Sequence, residues 1–229
     1  MRFEFLFLDL DDTILDFKKA ERIAIAKVLQ RAGVDPTDET IALYSAINLR
    51  CWQELERKEI NREQVKYLRF ERLFQTLGVE ADAHWCAKEY ELTLAIGHYF
   101  LPGALEAVQN LSKKYRLFLA SNGTAYVQRH RLTSAGLYPY FEKVFVSEDI
   151  GANKPAIEYF EGCFAQIPDF DRSKAIIVGD SLTSDILGGN HAGIATCWVN
   201  PGHKPRPENI RVDYEIEALS QFETLLATL

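Results

Sequence analysis

The first apolar run of the chain, FEFLFL at residues 3–8, is followed at once by the carboxylates of Asp9, Asp11 and Asp12. The run is too short for a buried helix and rich in Phe, so it predicts a fully buried parallel strand. Similar runs predict strands at 115–120, 143–147, 174–180 and 194–200, with helix-like patterns at 103–114, 125–136, 155–166 and 182–192. This alternation predicts an α/β fold whose parallel sheet is covered on both faces.

Residues 18–98 break this rhythm, because they contain no convincing strand and are helical almost throughout. A first helix pattern ends at Gly33 as a C-cap candidate, and a second follows Pro36. Asn61 and Gln64 resemble a capping box that opens a third helix, and a fourth covers residues 82–96. We therefore predict a helical cap domain at 18–98, inserted into a core domain formed by residues 1–17 and 99–229.

Composition and charge narrow the classes of partner. The 229 residues have a formal net charge of −7, which disfavours binding to a nucleic-acid polymer or to an anionic membrane surface. No window approaches the length of a membrane span, and the N-terminal run lacks a basic n-region, so we expect a cytoplasmic protein. The four cysteines form no CxxC pair, so we expect free thiols in a reducing compartment.

Polar residues follow several of the predicted strands. Asp9 with Asp11 ends the first, Ser121 with Asn122 ends the second, a loop at 148–154 follows the third, and Asp180 begins the loop after the fourth. Ligands of open parallel sheets bind at the carboxyl ends of strands, so we expect these residues, with Asp185, to face one crevice.

The aspartates at these strand ends require a counter-charge. Two carboxylates about 4 Å apart repel by roughly 4 kcal/mol at an effective dielectric constant near 20, so Asp9, Asp11 and Asp180 cannot share a site as anions unaided. A hard divalent cation resolves the conflict. Oxygen donors without histidine or cysteine favour Mg²⁺ over zinc.

Four segments resemble, in order, the four motifs of the haloacid dehalogenase-like hydrolase superfamily: DLDDT (9–13), SNG (121–123), KP (154–155) and GDSLTSD (179–185). Asp9, Asp11 and Thr13 match its first motif, Asp-x-Asp-x-Thr or Val. The resemblance covers the chain end to end, with residues 18–98 matching the cap inserted after that motif. It implies a Rossmann-like, doubly wound core domain with an α-helical cap.

The same resemblance implies a phosphatase-type mechanism. Asp9 is the expected nucleophile, which forms an aspartyl-phosphate intermediate, and Asp11 is the expected general acid and base. Ser121 and Lys154 are expected to bind phosphoryl oxygens, and Asn122 and the residue after it to offer backbone N–H groups to the phosphate.

A magnesium site is also implied by the resemblance. Its expected ligands are the Asp9 side chain, the backbone carbonyl of Asp11 and the Asp180 side chain. Thr13 and Asp185 are expected in supporting roles, Asp185 by orienting metal-bound water rather than by touching the ion.

The second aspartate of the first motif, Asp11, separates the superfamily's phosphoryl-transfer members from its dehalogenases and argues against dehalogenation. The sequence DLDDTILDF, with SNG in the second motif, resembles the bacterial pyrimidine 5′-nucleotidase branch of the superfamily. This resemblance implies nucleoside monophosphates as substrates. A sugar-phosphate phosphatase or a β-phosphoglucomutase-like mutase is an alternative. A receiver-type signalling protein phosphorylated on aspartate is a more distant one. We expect a small-molecule phosphomonoester as the partner, and a monomer or weak homodimer.

Several polar and aromatic residues have simpler interpretations. Ser121 and Asn122 are alternatively caps of the helix that starts near Ala125, and Asp12 is expected to be a turn or capping residue. The histidines His191 and His203 are expected at the surface, and no role is assigned to His98. Five aromatic residues of the cap are expected to pack between helices rather than stack on a base: Tyr44, Trp52, Tyr67, Trp85 and Tyr90.

Overall fold

The computed structural model describes residues 2–229, which separate into two compact units. One comprises the chain up to Phe17 together with His98–Leu229, and the other is Lys18–Gly97. That each unit is an independent domain stays a prediction. Among the described residues, no helix combines the length and apolar character that crossing a membrane requires.

The first unit is built on a parallel sheet of six strands within residues 2–229, in the order β3-β2-β1-β4-β5-β6. The strands are β1 Phe5–Leu8, β2 Arg116–Ser121, β3 Lys143–Val146, β4 Ala175–Gly179, β5 Ala195–Val199 and β6 Tyr214–Ile216. In the centre of the sheet, Leu8 of β1 pairs with Leu119 on one side and with Val178 on the other. The first apolar run is therefore a central, fully buried strand, as predicted.

Helices cover both faces of this sheet. They are α5 Ala104–Leu111, α6 Ala125–Ser134, α7 Ser147–Ile150, α8 Ile157–Phe164, α9 Leu187–Ala192 and α10 Phe222–Ala227. Side chains of β1 alternate between the faces: Leu6 and Leu8 join an apolar cluster with α5, α6 and α10, whereas Phe5 and Phe7 join one with α8. The predicted doubly wound α/β core is confirmed.

The fourth predicted helix of this unit, at 182–192, starts differently from a regular α-helix. Residues Leu182–Ile186 form a π-helical turn before α9 begins. Ser181 explains the wide turn, because its backbone carbonyl accepts from the N–H groups of both Asp185 and Ile186, at 3.0 and 3.1 Å. Such turns often mark functional sites.

The predicted third strand is one residue shorter than expected, because Ser147 begins the short helix α7.

The second unit contains the helices α2 Asp38–Glu56, α3 Arg62–Leu77 and α4 Ala83–Leu94 and most of α1, Phe17–Arg31. Asn61 and Gln64 form the predicted capping box at the start of α3. Tyr44 and Tyr90 are fully buried with ring centroids 5.5 Å apart, and Tyr67 stacks on His84 at 4.6 Å. These three aromatic residues pack between helices, as expected.

All four cysteines are free, as predicted, and all four are buried: Cys51, Cys86, Cys163 and Cys197.

Candidate active site

The carboxyl ends of β1, β2 and β4 bring several predicted site residues together. Asp9 follows β1 directly, Ser121 is the last residue of β2, and Asp180 follows β4. Lys154 lies in the segment between α7 and α8. Because neighbouring parallel strands end at the same edge of the sheet, residues more than a hundred positions apart in the chain share one site.

Lys154 is the centre of this site. Its side chain is 1% exposed, and its ammonium group donates to Oδ1 of Asp9 at 2.7 Å, to Oδ1 of Asp185 at 2.6 Å and to the carbonyl of Ala120 at 2.6 Å. An ammonium group has three protons, so these acceptors use all of its donors. Lys154 is thus fixed in position by two carboxylates and one backbone carbonyl.

Three carboxylates form the acidic part of the site. Asp9, Asp180 and Asp185 each offer an oxygen within 4.8 Å of the others. Asp185 uses both of its oxygens, because Oδ2 accepts from the N–H of Ser181 at 3.1 Å while Oδ1 accepts from Lys154. The backbone carbonyl of Asp180 accepts from the indole N–H of Trp198 at 2.9 Å, which anchors that loop.

Burial and the neighbouring charges shift the pKa values of Asp9 and Lys154. Burial raises the pKa of Asp9 well above its usual range; the Lys154 ammonium acts in the opposite direction, and the carboxylates of Asp185, Asp180 and Asp11 add to the rise. Burial by itself lowers the pKa of Lys154, but Asp185 and Asp9 together raise it above its ordinary value. Lys154 therefore stays charged, and a further positive charge near Asp9 would favour its anionic form.

The donor set fits a divalent cation. Three carboxylates within 4.8 Å of one another, of which one has a raised pKa, are a site where a cation relieves mutual repulsion. Oxygen donors suit magnesium. Asp9 and Asp180 would hold the ion. Asp185, whose oxygens both accept hydrogen bonds, would not coordinate the ion directly.

Asp11 lies beside the cluster and is partly exposed. Its Oδ2 accepts from Nε2 of Gln128 at 2.6 Å, and its Oδ1 forms an ion pair with Arg131. Thr13 is buried, and its Oγ1 has no hydrogen-bond partner among residues 2–229.

Ser121 and Asn122 have different partners. The Ser121 hydroxyl oxygen accepts from the N–H of Gly123 at 3.2 Å and from Gln128 at 2.9 Å. The Asn122 side chain pairs with the backbone of Lys154, donating to its carbonyl and accepting from its N–H, both at 2.8 Å. The Asn122 amide thus fixes the segment that carries Lys154; its predicted contact with phosphate stays a prediction.

The alternative interpretation of Ser121 and Asn122 as helix caps is wrong. The first N–H of α6, that of Ala125, donates to the Glu148 carboxylate at 2.6 Å, and Thr124 precedes it without a side-chain cap. Asp12 is a turn residue as expected, because it has a positive φ of 56° and accepts from the N–H of Phe17 at 3.1 Å.

Reasoning from the sequence missed Gln128 and Arg131. Both lie on α6, which was predicted, but their polar side chains carried no motif. Their spacing of three residues places them on one helix face, and their position just after SNG was the available signal. The histidines His98, His191 and His203 are exposed, as expected for the last two.

The comparisons with known proteins decide the family. The family model of haloacid dehalogenase-like hydrolases matches residues 6–199. The chain belongs to this family. The HAD-hydrolase YfnB of Bacillus subtilis is 39% identical over 225 residues, covering 98% of this chain and 96% of YfnB. A crystal structure of YfnB bound to magnesium superposes with a TM-score of 0.94 at 38% identity, covering 99% of each chain.

Two relatives of this haloacid dehalogenase-like hydrolase are named for their substrates. The pyrimidine 5′-nucleotidase PynA of Streptococcus pneumoniae is 38% identical over 217 residues, covering 94% of this chain and 92% of PynA. The pyrimidine 5′-nucleotidase YjjG of Escherichia coli is 30% identical over 226 residues, covering 99% of both chains. The predicted superfamily, its hydrolase class and its fold are confirmed.

Proposed function

We propose that this hydrolase is a magnesium-dependent phosphoric monoester hydrolase, and that its substrates are 5′-nucleotides of the pyrimidine class. The observation that carries the proposal is the site at the end of β1. There Asp9 lies 2.7 Å from a fully buried ammonium group, and Asp11 follows two residues later. The similarity to two pyrimidine 5′-nucleotidases supports the substrate class.

In the first step, an oxygen of the Asp9 carboxylate attacks phosphorus and forms the aspartyl-phosphate. The bond from phosphorus to the ester oxygen breaks, and its electron pair stays on that oxygen. The leaving oxygen takes the proton of the Asp11 carboxyl group, so the nucleoside departs as a neutral alcohol. Oδ1 of Asp9 accepts from Lys154, which leaves Oδ2 as the oxygen suited to attack.

In the second step, water attacks the phosphorus atom and gives a proton to the Asp11 carboxylate. The bond between phosphorus and Asp9 breaks, its electrons return to the carboxylate, and inorganic phosphate is released. Asp11 is thereby protonated again, ready for the next substrate.

The remaining residues stabilise charge. Lys154 supplies a fixed positive charge next to Asp9, and Ser121 presents a hydroxyl group at the end of β2. Magnesium, held by Asp9, Asp180 and the backbone carbonyl of Asp11, would neutralise the carboxylates and polarise the phosphoryl group. A cytoplasmic location and a monomer or weak homodimer complete the proposal.

The test is a phosphate-release assay with magnesium. The panel contains uridine, deoxyuridine and thymidine 5′-monophosphates, purine 5′-monophosphates and hexose phosphates. We expect release from the pyrimidine nucleotides above all, and loss of that release in Asp9→Asn at unchanged melting temperature. Preference for hexose phosphates would favour the sugar-phosphate alternative, interconversion without phosphate release would favour the mutase, and inactivity on the whole panel would refute a phosphatase.

A further inference from the structure

The two carboxylate oxygens of Asp11 are each held by a side chain of α6. Gln128 donates to Oδ2 at 2.6 Å, and Arg131 donates to Oδ1. The two α6 residues are also linked to each other, because Nη1 of Arg131 donates to Oε1 of Gln128 at 3.1 Å. Since they are three positions apart, one face of α6 presents both donors together.

The Gln128 amide connects Asp11 with Ser121. Its nitrogen donates to Asp11 and, at 2.9 Å, to the hydroxyl oxygen of Ser121. An amide nitrogen has two protons, and these acceptors use both. Gln128 thus sets the distance between the proposed general acid and the hydroxyl expected to bind the phosphoryl group.

Both α6 residues are deeply buried, at 1% exposure for Gln128 and 0% for Arg131. The Gln128 side chain occupies space that a side chain at position 123 would fill. A Cβ atom on Gly123 would lie only 2.3 Å from Nε2 of Gln128. The glycine of the SNG motif is therefore the residue that lets the amide reach Ser121 and Asp11.

Stability alone does not account for a charged residue here. A buried ion pair commonly contributes no more than well-packed apolar residues of the same volume, because both charges lose their hydration. Arg131 nevertheless places its guanidinium beside Asp11 and within 5.9 Å of the Phe17 ring centroid. Its geometric effect is specific, since it fixes one oxygen of a partly exposed carboxylate that immediately precedes a turn.

Resting on the proposed function, we propose that Gln128 and Arg131 are positioning residues. They orient the Asp11 carboxyl group toward the ester oxygen of a substrate whose phosphoryl group is bound at Ser121. Without them Asp11 remains present, but it no longer delivers its proton along the right direction. In the first step the consequence is selective, because only leaving groups that need a proton depend on that direction, whereas the second step, with Asp11 as the base, is common to all substrates.

The experiment compares two substrates in the full-length magnesium-loaded protein. Uridine 5′-monophosphate has an alcohol leaving group that needs the proton, whereas p-nitrophenyl phosphate releases a stabilised phenolate without it. The variants are Gln128→Met, which keeps the side-chain length but removes both donors, and Arg131→Met. The matched control is Arg129→Ala on the same helix, where an exposed arginine pairs with Asp149.

We expect kcat/KM for uridine 5′-monophosphate to fall about 10- to 100-fold in both test variants, part of the contribution of a complete general acid. We expect kcat/KM for p-nitrophenyl phosphate, which reports the first step alone, to stay within about threefold. Arg129→Ala should match the wild type on both substrates. Equal losses on the two substrates, or no loss, would overturn the inference, whereas a wild type inactive on both would instead refute the proposed function. If Gln128→Met does not fold, the Arg131→Met comparison decides in the same way.

Discussion

The ammonium nitrogen of Lys154 lies 2.7 Å from Oδ1 of Asp9, although 145 positions separate the two residues in the chain. The same nitrogen lies 2.6 Å from Oδ1 of Asp185. One buried cation is therefore shared by two buried carboxylates, and this arrangement ties the loop before α8 to the end of β1 and to the π-helical turn at Leu182–Ile186. We expect the stability of the site and its chemistry to depend on the same contacts.

Replacing the lysine, as Lys154→Met, should lower the free energy of unfolding by about 3–5 kcal/mol when divalent ions are chelated. The change leaves the Asp9 and Asp185 carboxylates buried without their counter-charge, which is the costly way to break a buried ion pair. Urea denaturation followed by circular dichroism measures the difference.

The control for this variant is Lys113→Met, because Lys113 is exposed and its ammonium group donates a long bond of 3.4 Å to Asn110. That change should stay within about 0.5 kcal/mol of the wild type. A Lys154→Met protein as stable as the control would show that the two carboxylates are neutral or rearranged without the lysine.

Magnesium should stabilise the folded protein, because under the proposed function it binds the carboxylates gathered at the ends of β1 and β4 and not the unfolded chain. At a free concentration of 100 times Kd the gain in the free energy of unfolding is about 2.7 kcal/mol. Asp180→Asn should fold but lose most of this gain in thermal melts with and without the ion. Glu208→Gln, which removes an exposed carboxylate, should keep it. Full stabilisation of Asp180→Asn would exclude Asp180 as a ligand.

Asn122 should act on catalysis through Lys154. Its side chain makes two hydrogen bonds with the Lys154 backbone, and each contributes about 0.5–1.5 kcal/mol to stability. Asn122→Leu removes both bonds, whereas Asn122→Asp removes the donated bond and keeps the accepted one. We expect stability and kcat to fall in the order wild type, Asp, Leu. Unchanged kcat in the Leu variant, measured by phosphate release, would show that the Lys154 ammonium is fixed by its side-chain contacts alone.

The sequence predicted those site residues that follow directly from strand ends. Asp9, Ser121 and Asp180 each come immediately after, or end, an apolar run, and parallel strands bring such ends to one edge. The place of Lys154 in the site followed only from the resemblance to a family, and its ion pair with Asp9 was not predicted, since no local pattern marks a lysine before Pro155 as buried.

The pattern of apolar and polar residues could not predict two other features of the site. Gln128 and Arg131 lie on a helix that was predicted correctly, but the helix rotation decides which residues of α6 face Asp11. The π-helical turn at Leu182–Ile186 was missed for a related reason, because it depends on the Ser181 carbonyl accepting two bonds. Tertiary contacts rather than local propensity fix both features.

Gly179, the last residue of β4, is needed for the placement of Asp185. A Cβ atom on Gly179 would lie 2.2 Å from Oδ2 and 2.7 Å from Cβ of Asp185. Because the strand is fully buried, Gly179→Ala must displace Asp185 from Lys154, and overpacking of this kind costs about 1–3 kcal/mol. The matched change Gly202→Ala meets nothing closer than 4.0 Å and should be neutral. Urea denaturation and phosphate release test both variants together. We expect Gly179→Ala to lose stability and activity in parallel, since the same displaced carboxylate supports the fold and orients Lys154; a stable variant with full activity would show that Asp185 is not needed in its present position.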